Sequence, residues 1–432
     1  MKSLYERSLT VLPPVAARAT KLGVVKGNGV YLLSEDGQQY LDFAAGVGVV
    51  NCGHNNPQVV AAIDKQLHLL IHGGHNVVYY PSYIELAEKL TKRIGEDYKI
   101  YFANSGAEAN EGAVKLALSV TKRNGIIAFT RSFHGRTLLT AAMTASNARY
   151  RENYEGVLPP VYHVDFPDVY NTDLTERQEV QRCLNQLRQL FANILKPDHT
   201  ACIIVEPVQG EGGYLPAPKA FLTALRKICD DHGIMLIFDE IQSGYGRTGY
   251  LFAKDYYEIQ PDILTSAKSI ANGLPLSAVI GRAEYMNQWL PGAHGGTFGG
   301  NPLACAAGSA VLDIMNDQFL AAVREKGQMF EAGLRQLQRK YPVISSVRGL
   351  GLMIGMEFRS TKDKKPLTDF VARIRQEALK RHLILLNCGV DHNVIRFIPP
   401  LVIRKEQLQD ALKIIDESIV ASLEIKTPDN VS

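Results

Sequence analysis

Short, unbroken apolar runs recur through the middle of this 432-residue chain, at 125–130, 201–206, 234–239 and 262–266. A strand with one wet face alternates apolar and polar residues, so runs without alternation read as strands covered on both faces. Longer helical patterns lie between them, at 105–122 and 220–232. Strands that alternate with helices build a parallel sheet, because parallel neighbours need a long crossover between them. The expectation is an α/β fold with a largely parallel central sheet.

The two ends of the chain read differently. Asp36-Gly37 marks a hairpin turn between strand-like 30–33 and 39–43. Beyond about residue 320, helical patterns at 318–339 and 367–381 flank strand-like 351–358 and 394–398, and Pro399-Pro400 breaks the chain. The length exceeds what one hydrophobic core usually holds. We therefore expect a large central domain at 61–320 and a small α+β domain made from both ends, 1–60 and 321–432. The polar, helical stretch 168–198 is expected to be a surface insertion.

Composition excludes several function classes. Lys plus Arg number 47 against 44 for Asp plus Glu, a net charge of +3, which gives no support to nucleic-acid or membrane-surface binding. No apolar run approaches the length of a membrane span, and Met1-Lys-Ser-Leu-Tyr-Glu-Arg lacks the apolar core of a signal peptide. The six cysteines stand singly, which argues for free thiols in a reducing compartment and against a structural metal site. The cytoplasm is the expected location.

Chemistry concentrates at the ends of the apolar runs. Asp239 closes the run Ile234-Met-Leu-Ile-Phe-Asp239, and Lys268 follows the run at 262–266. A lysine at the edge of an apolar segment can hold an aldehyde as an imine, and an aspartate at the end of a buried strand can keep a ring nitrogen protonated. Pyridoxal 5'-phosphate requires both groups. Ser105-Gly106-Ala107 opens a helix whose free N–H groups could accept a phosphate, although a plain capped helix has the same pattern. The glycine-dense stretch around Thr297 could also meet an anion, or form a tight loop. Neither stretch is a nucleotide-binding glycine motif. Gln242 could contact a ring substituent, Phe133 could stack on a flat ring, and Arg136 could clamp a carboxylate. Arg396 lies in an otherwise apolar strand and needs a partner, which Glu211 between its glycines can supply. A structural ion pair is the plainer account of those two residues.

Taken together and in this order, these residues resemble the class III (subgroup II) aminotransferases among the fold-type I pyridoxal-phosphate enzymes. The stretch Phe238-Asp-Glu-Ile-Gln-Ser-Gly-Tyr-Gly-Arg-Thr-Gly249 and the approach to Lys268, Pro261-Asp-Ile-Leu-Thr-Ser-Ala-Lys268, carry the resemblance most specifically. It implies that Lys268 anchors the cofactor and shuttles a proton, that Asp239 pairs with the ring nitrogen, and that Gln242 meets the ring hydroxyl. It implies a phosphate site at Ser105, Gly106 and Ala107, completed by Thr297 from a neighbouring subunit, hence a homodimer or higher homo-oligomer. Phe133 and Ile241 would pack on the two ring faces, and His134 would line the cofactor site.

Within that family the chain is similar to enzymes acting on 4-aminobutyrate and 2-oxoglutarate. The stretch Ala267-Lys-Ser-Ile-Ala-Asn-Gly-Leu-Pro-Leu-Ser-Ala-Val279, Asn387-Cys-Gly389, the 168–198 insertion and the small Val47 support this. The resemblance implies a ping-pong reaction giving succinate semialdehyde and glutamate. Arg136 would hold the donor carboxylate while Glu211 masks Arg396. Acetylornithine- or ornithine-type aminotransferases and amino-acid racemases of the same family remain as alternatives. A cofactor-binding regulator is disfavoured by the near-neutral charge.

Overall fold

The apolar runs form the middle of a seven-stranded sheet in the computed structural model, which describes residues 2–15 and 17–424. Residues 1, 16 and 425–432, including the outermost parts of both end segments, lie outside the described residues.

The amino-terminal strands β1 (Val24–Asn28), β2 (Tyr31–Ser34) and β3 (Gln39–Asp42) form an antiparallel meander. Its expected turn is present, with Gly37 at φ 83°, a conformation that glycine adopts without steric cost. The central sheet contains β4 (Tyr98–Ala103), β5 (Gly125–Phe129), β6 (Tyr162–Val164) and β7 (Thr200–Val205). A short hairpin, β8 (Val208–Gln209) and β9 (Leu215–Pro216), leaves the sheet before β10 (Met235–Asp239), β11 (Ile263–Ser266) and β12 (Ser277–Arg282) complete it. The order is β4-β12-β11-β10-β7-β5-β6. All neighbours are parallel except at β12, which runs against both β11 and β4.

Helices cover both faces, which is why the central strands carry no polar alternation. The helix Gly106–Thr121 buries Ala109, Ala113, Val114 and Leu116 against Ile126, Ala128, Ile204 and Ile237. A capping box of Ser105 and Glu108 starts it, a device that contributes about 1 kcal/mol. The helix Lys219–His232 lays Phe221, Leu222 and Leu225 on the opposite face, with Phe129 and Phe238. Each such buried side chain contributes roughly 1.5–3 kcal/mol of transfer free energy. Within 168–198, the helix Glu176–Asn193 is polar outside but buries Val180, Cys183, Leu184 and Leu187 in this same core. The stretch is thus a packed layer with one wet face.

A second sheet contains β13 (Ile344–Leu350), β14 (Met353–Phe358), β16 (Leu386–Cys388) and β17 (Val394–Phe397), antiparallel in the order β13-β14-β17-β16. Between these, β15 (Leu383–Ile384) leaves to pair in parallel with β3. The helices Asp317–Lys340, Thr368–Lys380 and Lys405–Glu424 supply the apolar cover. Among the described residues, no helix is long and apolar enough to cross a membrane.

Candidate active site

Parallel strands in register end side by side, so the residues that follow them gather at one edge of the sheet. Phe133 and His134 follow β5, Glu206 follows β7, Asp239 ends β10 and Lys268 follows β11; all of them line one cavity of about 330 Å³.

Asp239 is held by three donors. Its Oδ2 accepts from Asn110 Nδ2 at 2.8 Å and from His134 Nδ1 at 2.7 Å, and its Oδ1 accepts from the Ile241 N–H at 3.1 Å. The Thr265 hydroxyl donates to Asn110 Oδ1 at 2.8 Å, which turns the amide nitrogen towards Asp239. Burial alone would lower the His134 pKa, but the hydrogen bond to Asp239 and the charges of Asp239 and Glu206 outweigh it and raise the value. The result is a carboxylate fixed in direction inside a buried network, with valence left on Oδ1.

Lys268 begins a short turn, Lys268–Ala271, at φ 47°, a left-handed conformation unusual for a residue with a side chain. The turn is anchored from the amino-terminal segment. Ser269 Oγ donates to Gly48 O at 2.8 Å, and Asn272 Oδ1 accepts from the Cys52 N–H at 2.8 Å. Burial holds the Lys268 amine below its ordinary pKa, against the opposing pull of Glu211 and Asp239.

Ser105, Gly106 and Ala107 line the cavity at the start of their helix, where backbone N–H groups lack intrahelical acceptors. A Cβ on Gly106 would lie 2.8 Å from Ile241 Cδ1, so any side chain there would have to push Ile241 aside. Gln242 Oε1 is buried without a partner, an uncommon condition for a polar atom.

Across the cavity, Arg396 Nη1 donates to Glu211 Oε1 at 2.5 Å, with the arginine 7% exposed. Burial disfavours its charge and the neighbouring Glu211 more than restores it, so its pKa stands above the ordinary value. Arg136 is exposed and stacks over Tyr150, with its guanidinium 4.7 Å from the ring centroid and 5.9 Å from that of Phe133. Val47 sits in a run of left-handed residues from Ala45 to Gly48, and Val49 rather than Val47 lines the cavity. Thr297 is exposed in the loop before Phe298 and does not line it.

Beyond the residues singled out from the sequence, Glu206 and Val49 are among those that line the cavity, and Asn110 holds Asp239. Glu206 Oε1 accepts from the Gly210 N–H and Oε2 from the Phe133 N–H, both at 3.0 Å. Burial pushes its pKa up to about 7. Its signal was the same as that of Asp239, an acid closing a continuous apolar run.

With this geometry in view, comparison with known proteins gives the family. The class-III aminotransferase family matches residues 14–419. A probable 4-aminobutyrate aminotransferase of Bacillus subtilis is 40% identical over 92% of both chains. A 5-aminovalerate aminotransferase of Pseudomonas putida is 39% identical over 96% of this chain and 97% of its own. An acetylornithine aminotransferase of Methanocaldococcus jannaschii is 41% identical over 91% of this chain and 92% of its own. Among solved structures, the PLP-bound form of an amine transaminase from an uncultivated Pseudomonas species superposes with a TM-score of 0.86 at 30% identity, covering 95% of this chain and 97% of that one. The chain belongs to the class-III aminotransferase family, with the fold-type I architecture. The residues at the cavity fit pyridoxal phosphate chemically. An amine of lowered pKa, a fixed carboxylate, an unpartnered Gln242 oxygen and a helix start answer its aldehyde, ring nitrogen, hydroxyl and phosphate.

Proposed function

We propose that the protein is a pyridoxal-phosphate-dependent aminotransferase that moves the amino group of 4-aminobutyrate, or of a related ω-amino acid, to 2-oxoglutarate. The products are succinate semialdehyde and glutamate, formed in a ping-pong cycle. The observation that carries this reading is the ion pair of Glu211 and Arg396 at the wall of the Lys268 cavity.

Bound pyridoxal phosphate supplies an electron sink for the carbon that bears the amine. Asp239, oriented by His134 and Asn110, keeps a proton on the ring nitrogen. Lys268 would be the base that takes the proton from the donor carbon and delivers it to the former aldehyde carbon of the cofactor. Phe133 and Ile241 hold the ring, and Ser105, Gly106 and Ala107 hold the phosphate. Gln242 accepts from the ring hydroxyl.

One site must take two substrate shapes. A donor with one remote carboxylate leaves a buried, unpaired arginine beside its reacting carbon, which is costly. Glu211 removes that cost by neutralising Arg396, while Arg136 holds the remote carboxylate and Val49 bounds the substrate space. Glutamate brings a second carboxylate next to its amine. It displaces Glu211 and takes Arg396 bidentately.

The test is a donor panel with 2-oxoglutarate, scored by glutamate formation. 4-Aminobutyrate is expected to lead over acetylornithine, ornithine, β-alanine and branched amino acids. A racemised α-amino acid with no glutamate formed would overturn the reading. Acetylornithine stands as the second reading, supported by the 41% identity to an acetylornithine aminotransferase.

A homodimer in which Thr297 completes the phosphate site of the partner fits its exposure here. The neighbouring Phe298, Ile71, Val77 and Tyr79 are 63%, 56%, 80% and 95% exposed, an apolar surface suited to a second copy. The six free cysteines suit the cytoplasm.

A further inference from the structure

The loop that carries Glu211 is gripped at three points of its backbone. The Gly210 N–H donates to Glu206 Oε1 at 3.0 Å, the Gly389 N–H donates to Glu211 O at 2.8 Å, and Arg348 Nε donates to Gly213 O at 2.9 Å. Its glycines are there because neighbours crowd it. A Cβ on Gly212 would lie 2.8 Å from Arg131 O, and one on Gly213, at φ 119°, 3.0 Å from Arg348 Nη2.

Strand register explains the third grip. Arg348 on β13 stands opposite Gly355 on β14, and Gly355 stands opposite Arg396 on β17. Directly opposed residues of an antiparallel sheet share a face, so two arginines project from one face with a glycine between them. A Cβ on Gly355 would lie 3.1 Å from Tyr214 Cβ and 3.2 Å from Gly213 O. The loop therefore crosses the sheet over Gly355, with one arginine holding its backbone and the other holding the Glu211 side chain.

Arg348 is itself 2% exposed and ion-paired with Glu357, which also accepts from Arg359 Nε at 2.7 Å and from Asn171 Nδ2 at 3.1 Å. Burial opposes the Glu357 charge, but Arg348 and Arg359 prevail and hold its pKa down to about 2. The arginine is thus locked to the sheet that carries Arg396.

We propose that Arg348 is a positioning residue: it seats the loop backbone over Gly355, so that Glu211 meets and leaves Arg396 by side-chain rotation alone. The seat sets the preference between ω-amino donors, which need the pair closed, and α-carboxylate substrates, which need it open. This rests on the reading of Glu211 and Arg396 as a substrate switch.

The test uses full-length holoenzyme carrying Arg348→Lys or Gly355→Ala. The first keeps the charge beside Glu357 but loses the planar fork. The second crowds the loop from below and leaves every buried charge in place, so it carries the test if the first does not fold. Each half-reaction is followed in single turnover. Both variants are expected to lower kcat/KM for 4-aminobutyrate relative to 2-oxoglutarate roughly tenfold, the equivalent of one charge-assisted hydrogen bond. Hydrogen exchange of residues 209–214 is expected to accelerate in both. Equal losses in the two half-reactions, or wild-type exchange, overturn the proposal. Glu211→Ser runs in parallel. If it fails to shift the ratio, the switch has failed and this inference with it. If it shifts the ratio and the other two variants do not, only the inference falls.

Discussion

His134 Nδ1 lies 2.7 Å from Asp239 Oδ2, and both side chains are closed off from solvent. The contact aims a carboxylate that would otherwise have Asn110 as its only side-chain partner among the described residues. Removing it with His134→Ala is expected to weaken pyridoxal-phosphate binding by roughly tenfold or more, the effect of losing a hydrogen bond to a charged group. Titration of the apoenzyme with the cofactor measures this, and an unchanged affinity would count against the orienting role.

The depressed pKa of Lys268 has a stability signature. Its ordinary value is 10.5, and burial lowers it in the folded state. Below the ordinary value, the unfolded chain then binds more protons at this site than the folded one does. Stability therefore rises with pH between the depressed value and 10.5. Lys268→Ala removes that gain. Denaturant midpoints of the two apoproteins, compared from about pH 7 to about pH 10, should diverge with the wild type gaining. Parallel curves would refute the shift.

Arg396→Lys keeps a cation but loses the planar fork that grips a carboxylate with two bonds. The 2-oxoglutarate half-reaction is expected to fall roughly a hundredfold, with a far smaller loss in the 4-aminobutyrate half-reaction. Stopped-flow traces of each half resolve the two, and equal damage would sink the switch.

Gly106 lies against Ile241, and a Cβ there would meet Ile241 Cδ1 at 2.8 Å. Gly106→Ala is expected to cost about 1–3 kcal/mol of cofactor binding by pressing Ile241 into the ring space. Adding Ile241→Ala should recover much of it, because neighbours in contact couple. Additive losses in the double variant would show that the two side chains act separately.

What could be read from the chain was what local pattern encodes. Continuous apolar runs announced β5, β7, β10 and β11, and the acid and lysine at two run ends announced Asp239 and Lys268. Glu206 carries the same signal, an acid closing an apolar run, and nothing in the run itself distinguishes a site acid from a plain strand end. The reversal of β12 was illegible, since nothing in Ser277-Ala-Val-Ile-Gly-Arg282 sets a direction. The role of Arg348 depends on register across three strands, which periodicity within one strand cannot supply. Val47 is the expected substrate-side residue, but the backbone from Ala45 to Gly48 is left-handed, which β-branched residues rarely adopt, and Val49 is the valine that lines the cavity.

The pairing of β3 with β15 sets Leu41 beside Leu383 and Asp42 beside Ile384. Protein synthesis runs from the amino end, so the first strands made leave the ribosome long before their mate exists. Until then their unpaired edge has no native neighbour, and such edges invite wrong partners. A nascent chain that ends before residue 383 therefore cannot complete the sheet that β1, β2 and β3 begin.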